Sequence, residues 1–117
     1  MERNETFSKF QGAETLIADY DHWSVLARPK QATLGAMVLV AHGPQTAFPE
    51  LPAPAFAEMR GVVGDIEQAA EAVFDYDKIN YLMLMMVDPN VHFHVLPRYE
   101  SAPVFKGREF PDPGWPG

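Results

Sequence analysis

The chain contains no cysteine among its 117 residues. Without thiols it can form neither a disulfide framework nor a thiolate metal site, which suits a reducing compartment such as the cytoplasm. It also lacks an uncharged apolar run of the roughly 18 to 20 residues that a membrane span requires. The start, Met1 to Phe10, carries Glu2 and Glu5 where a signal peptide would be apolar. The sequence therefore predicts a soluble, cytoplasmic protein without a membrane partner.

Positive charge is scarce as well. Nine Lys and Arg residues stand against sixteen Asp and Glu residues, a formal net charge of −7, so a nucleic acid polymer would meet a repulsive field. A small anionic ligand in one local pocket is compatible with this charge. The length and the 47% hydrophobic content predict a single domain over residues 1–117. We divide it into an N-terminal segment (1–14), a core (15–99) and a proline-rich tail (100–117).

The first half of the core alternates short apolar runs with turn residues. Runs at 15–20, 23–27 and 36–41 predict three strands, the first two joined as a hairpin. From Pro54 to Phe74 apolar residues recur every three or four positions, which predicts an amphipathic helix.

The second half begins with the charge-free run Ile79 to Val87, which predicts a central strand covered on both faces. Val91 to Leu96 predicts a further strand that ends at Pro97. Four of the eleven prolines lie in the tail after Tyr99, which we therefore expect to be irregular. The predicted fold class is α+β, a mostly antiparallel sheet of about five strands with one long helix packed on it.

The strand from Val91 to Leu96 carries two histidines. Successive side chains of a strand point to opposite faces. One face should therefore hold Asn90, His92, His94 and Leu96, and the other Val91, Phe93 and Val95. A neutral imidazole with a free nitrogen is a good nucleophile near pH 7, so the paired histidines are candidate catalytic residues.

The segment from Asn90 to Arg98, NVHFHVLPR, resembles the motif of the histidine triad family. That motif is His-φ-His-φ-His-φ-φ, with φ apolar, and commonly continues into Pro-Arg. The segment matches at every position except the first, where Asn90 replaces His. Gly35 to Val40 resembles the family's Gly-His-x-Leu-Val strand, and Asn80 falls where many members place an Asn. The similarity covers roughly Thr15 to Tyr99.

This resemblance implies a five-stranded antiparallel sheet, a helix across one face and a homodimer. In the family the middle histidine, here His92, attacks the α-phosphate of a nucleotide and carries the nucleotidyl group until water releases it. The resemblance also implies that the backbone carbonyl of Asn90 fixes the tautomer of His92 and that His94 donates to the phosphate or leaving group. Asn80, the side chain of Asn90 and Arg98 are the candidate phosphate ligands.

The expected function is a nucleotide hydrolase or nucleotidyl transferase that acts on a nucleoside phosphoramidate or dinucleoside polyphosphate, with no metal and no other cofactor. The alternative is a nucleotide-binding or protein-binding module without turnover. Asn90 favours this alternative, because an amide forms hydrogen bonds but does not hold a proton at neutral pH.

Zinc binding is a further interpretation of the two histidines, since both rings point the same way. No third ligand with recognisable spacing is present, although His42 and Asp88 are available. We interpret Asp88 chiefly as a turn residue before Pro89, with entry of its carboxylate into the site as the less favoured alternative. A partly buried histidine pair satisfied by hydrogen bonds is the remaining structural interpretation.

Overall fold

The computed structural model describes residues 3–117. The described chain opens with two short helices, α1 (Glu5–Lys9) and α2 (Gly12–Thr15). The side chain of Asn4 caps the N-terminus of α1, because its oxygen accepts a hydrogen bond from the backbone N–H of Phe7 at 2.9 Å. Such a side-chain cap satisfies one of the free N–H groups at a helix start.

Five strands form one antiparallel sheet in the order β1-β2-β3-β5-β4. Strands β1, β2 and β3 lie side by side in chain order. Strand β5 then lies between β3 and β4, so β4 forms the edge of the sheet. The strand bounds are β1 (Leu16–Asp19), β2 (Trp23–Ala27), β3 (Met37–Ala41), β4 (Lys78–Leu82) and β5 (His92–Arg98).

The long helix α3 (Ala53–Phe74) follows β3 and a single 3-10 turn at Phe48–Glu50. Its buried residues are spaced so that they share one face, which packs on the sheet. The indole N–H of Trp23 donates to the carbonyl of Ala55 at 2.8 Å and joins β2 to the first turn of α3. The predicted α+β class and the long helix are confirmed. No helix in residues 3–117 is both long enough and apolar enough to cross a bilayer.

The opposite face of the sheet is covered by α1. Phe7 packs there on Leu26, Val38 and Val40 in a second, smaller core, with Phe10 at its margin. Helices therefore lie on both faces, α3 on the larger core and the N-terminal helices on the smaller one. The N-terminal segment covers the face to which the histidines of β5 belong.

The charge-free run at residues 79–87 is not a central strand, and that prediction was wrong. Only Lys78–Leu82 forms a strand, at one edge of the sheet. Beyond it Met86 is 91% exposed and Val87 78% exposed. An apolar run shows that a segment lacks charged residues. It does not show whether the segment pairs with one strand or two, or whether one or both of its faces are covered.

The prediction that Pro97 ends its strand was also wrong. β5 continues through Pro97 to Arg98, paired with β4. The ladder to β3 ends earlier, at Val95. Proline is tolerated where a strand has a partner on one side only.

The tail is less irregular than predicted. It contains a small hairpin of β6 (Val104–Phe105) and β7 (Arg108–Glu109). The two residues between them, Lys106 and Gly107, both have positive φ, at 53° and 77°. Positive φ at both positions makes the tight hairpin turn that Asn-Gly usually signals, and Lys in the first position conceals that signal.

Candidate active site

His92 and His94 lie on the same face of β5, as the alternation predicted. Their ring centroids are 5.2 Å apart and the rings are nearly perpendicular, at 82°. Val38 of β3 and Leu82 of β4 flank His94 in register. His92 is completely buried and His94 is partly buried. Strand β5 therefore presents two imidazoles side by side beneath the N-terminal segment.

The backbone fixes the tautomer of His92. Its Nδ1 lies 2.7 Å from the carbonyl oxygen of Asn90, and a carbonyl only accepts, so Nδ1 carries the hydrogen. The free lone pair is then on Nε2, which is buried and has no hydrogen-bond partner within residues 3–117. A buried polar atom without a partner calls for a functional explanation. An available lone pair is what a nucleophile or a metal ligand requires.

The side chain of Asn90 holds the N-terminal segment. Its Oδ1 accepts the backbone N–H of Thr6 at 3.1 Å, and its own backbone N–H donates to the Thr6 hydroxyl at 3.0 Å. Its Nδ2 donates to the carbonyl of Pro44 at 3.3 Å. The amide thus has partners in α1 and in the loop after β3. Its contact with a phosphate stays a prediction, and it would require these bonds to break.

Replacing Asn90 with Ala should lower the free energy of unfolding by about 1 to 3 kcal/mol, because the buried N–H of Thr6 loses its acceptor. Urea denaturation of the purified variant measures this. The control is Asn80→Ala at an exposed position of β4, which should change stability by no more than about 0.5 kcal/mol. Equal losses in the two variants would contradict the anchoring role.

Phe10 covers the two histidines. Its ring centroid lies 6.2 Å from that of His92 and 5.7 Å from that of His94, the second contact edge-on. Nε2 of His92 is itself buried, so a substrate atom reaches it only if the side chains around it move. The N-terminal segment therefore forms part of the cover over the two histidines.

Asp88 lies in the site, although we interpreted it chiefly as a turn residue and its carboxylate only secondarily as a possible member of the site. Its Oδ2 lies 3.9 Å from Nε2 of His92, and its Oδ1 contacts the ammonium group of Lys9. The ligand atoms of Asp88, His92 and His94 all lie within 4.8 Å of one another. The turn at Pro89 folds the carboxylate back over the start of β5, a path that the local sequence does not reveal.

His42 is held in a different cluster. Its Nε2 lies 2.9 Å from the Ser24 hydroxyl and 3.1 Å from Oδ1 of Asp19, and Asp19 also pairs with Arg3 at 2.7 Å. The Arg3 guanidinium, opposed by partial burial, lowers the pKa of the Asp19 carboxyl to about 2. These contacts fasten the start of the chain to β1 and β2, and they commit His42 there rather than to His92.

Two of the predicted phosphate ligands, Asn80 and Arg98, lie at different distances from the two histidines. Asn80 is exposed and pairs with Leu96, next to the pair of Leu82 with His94, so it shares the histidine face. Arg98 lies at the far end of β5, where its Nε donates to Asp112 at 2.5 Å. That ion pair anchors the tail, and a phosphate contact by Arg98, which would require the guanidinium to leave Asp112, stays a prediction.

Arg28 is a cationic residue near His94 that the motif did not indicate. It lines a recess of about 130 Å³ together with His94, Leu82 and Leu96. Burial lowers the pKa of His94, and the neighbouring His92 and Arg28 lower it further. His94 is therefore largely neutral at pH 7, with one ring N–H available as a donor.

Solved structures with a similar fold include histidine triad proteins. One from Sinorhizobium meliloti 1021 matches with a TM-score of 0.74 at 18% identity over 99% of this chain and 76% of its own. One from Marinobacter aquaeolei VT8 gives 0.73 at 20% identity, over 99% and 77%. A third, from Bradyrhizobium japonicum, gives 0.71 at 19% identity, over 98% and 80%. No family model and no curated protein matches the sequence. At these identities the likeness shows the fold.

Proposed function

We propose that this chain, which has the fold of histidine triad proteins, is a nucleotide-binding hydrolase or nucleotidyl transferase. Its substrate would be a small nucleotide, either a nucleoside phosphoramidate or a dinucleoside polyphosphate, attacked at the α-phosphate. The observation that carries this proposal is the fixed tautomer of His92, whose free Nε2 lies beside His94. A positioned lone pair with a neighbouring donor is the minimum that covalent catalysis at phosphorus needs.

The proposed reaction has two steps. Nε2 of His92 forms a bond to the α-phosphorus, and the bond from phosphorus to the leaving oxygen or nitrogen breaks, with its electron pair leaving on that atom. Water then attacks the same phosphorus and releases the nucleotide from Nε2. His94 donates its ring N–H to the phosphate or leaving group as negative charge develops there. Both steps depend on Nδ1 keeping its hydrogen, which the carbonyl of Asn90 accepts.

A specific observation favours the second candidate, a binding module without turnover. His92 is completely buried under Phe10, and Asn90 supplies no titratable side chain to the site. In that case the N-terminal segment stays closed over His92, and a nucleotide or a protein partner binds elsewhere on the histidine face.

Intact-mass spectrometry of rapidly quenched protein separates the two candidates. The purified chain is mixed with adenosine phosphoramidate, a dinucleoside polyphosphate or a nucleotide sugar, and its mass is compared with that of the untreated chain. A mass increase of one nucleotidyl group, absent in His92→Ala, supports the enzyme. No adduct across the panel, with nucleotide binding preserved in equilibrium dialysis, would leave only the binding module.

We also propose that the protein is a homodimer of about 26 kDa, twice the 13.1 kDa chain. Strand β4 leaves one edge of the sheet unpaired, and Leu84, Met86 and Val87 beyond it are exposed. A twofold partner would cover this apolar edge. Light scattering at micromolar concentration measures the mass, and Met86→Glu is expected to shift it toward 13 kDa. A monomer in the unmodified chain would contradict the proposal.

A further inference from the structure

Asp88, His92 and His94 form a set of two imidazoles and one carboxylate. Two of the three residues are buried, the third partly so, and their ligand atoms lie within 4.8 Å of one another. Imidazole and carboxylate together are donors that Zn²⁺ and related transition metal ions accept. A tetrahedral ion with bonds of about 2 Å holds its ligand atoms roughly 3 to 3.5 Å apart. Small side-chain rotations would bring the three groups to that separation.

The orientation of His92 is the independent observation. A metal-ligating histidine normally donates its other ring N–H to a carbonyl or carboxylate, and Nδ1 of His92 is held in this way by Asn90 at 2.7 Å. Its Nε2 is completely buried, lacks a hydrogen-bond partner within the described chain, and lies 3.9 Å from Oδ2 of Asp88. A bound cation would satisfy both atoms.

We propose that Asp88, His92 and His94 bind a divalent transition metal ion, with Zn²⁺ the best match, and that the ion blocks the nucleophile. The ion and phosphorus would use the same lone pair on Nε2 of His92, so the metal and the nucleotidyl group exclude each other. The recess lined by Arg28 and His94 opens beside one of the three proposed ligands, His94. Metal binding stands on the donor geometry alone, whereas the blocking effect rests on the proposed function.

Lys9 sets the affinity of this site. Its ammonium group contacts Oδ1 of Asp88, whereas Nε2 of His92 lies nearer to the other oxygen, Oδ2. It leaves Oδ2 available to the ion, but its positive charge opposes a second cation nearby. The Lys9 side chain is 50% exposed, so it can move into solvent at little cost. Removing its charge should therefore tighten metal binding.

The test uses Co²⁺ as an optical probe for the EDTA-treated full chain, followed by displacement with Zn²⁺. We expect one ion per chain. Asp88→Asn and His94→Ala should each weaken binding at least about 10-fold, because each removes a direct ligand. Lys9→Gln should tighten it. The control His22→Gln removes a histidine outside the site and should leave affinity unchanged.

Circular dichroism shows whether each variant is folded, and the two independent ligand variants guard against one of them failing to fold. Absence of Co²⁺ uptake, or unchanged affinity in both ligand variants, would overturn the metal site. For the blocking effect, Zn²⁺ should suppress the nucleotidyl adduct and EDTA should restore it. An adduct that forms equally with Zn²⁺ bound would overturn blocking. If no nucleotide gives an adduct, the proposed function fails, while the Co²⁺ titration still decides the metal site.

Discussion

Turnover should fall to background in His92→Ala, because the attack on phosphorus loses its nucleophile. Loss of the nucleophile in a comparable covalent enzyme lowers the rate on the order of 10⁶-fold. The chain should still fold, since the larger core between α3 and the sheet does not include His92. Steady-state turnover and circular dichroism on the same sample measure both expectations. If His92→Ala kept the turnover rate of the unmodified chain, His92 would not be the nucleophile.

His92→Ala also opens a cavity in a completely buried position, and some loss of stability is expected. His92→Asn provides a second variant, because its side-chain N–H can still donate to the carbonyl of Asn90 without offering a nucleophile. Both variants should lack turnover at a temperature where both are folded. His22→Ala, outside the site, serves as the control and should keep full activity.

Replacing His94 with Ala should reduce the rate about 100- to 1,000-fold, the usual cost of one lost donor to developing charge. The effect is smaller than that of His92 because the covalent route remains open. The loss should appear in kcat rather than in KM, since the donor matters most in the transition state. Single-turnover and steady-state kinetics with one phosphoramidate substrate measure the two parameters.

His94→Gln tests whether the donor itself is what matters. Glutamine keeps an N–H group at a similar distance from the backbone, so it should recover part of the activity that His94→Ala loses. The low pKa of His94, caused first by burial, implies that its neutral form acts at pH 7. Equal activity in His94→Ala and the unmodified chain would remove the residue from the mechanism.

Much of the fold was predictable because the patterns are local. The recurrence of apolar residues at every third or fourth position located α3. Short apolar runs located β2 and β3 to within a residue or so. The tail hairpin was not predictable, because Lys106 has an unusual positive φ for its residue type. The edge position of β4 was not predictable either, because pairing partners are distant in sequence.

Histidine placement on one face was determined by the sequence alone. Alternation in a strand is a property of the backbone, so His92 and His94 must share a face wherever β5 lies in the sheet. The resemblance to the histidine triad motif implied the tautomer of His92, and the contact that fixes it is local, because the carbonyl of Asn90 is two residues away.

Only the tertiary structure decided what surrounds the two histidines. Asn90 binds Thr6 across 84 positions of sequence, and the ring of Phe10 comes from another element altogether. The carboxylate of Asp88 reaches the site through a turn whose direction depends on the packing of α1 and the loop after β3. Such contacts depend on how the elements pack together, because residues far apart in the chain meet only after the sheet and helices have assembled.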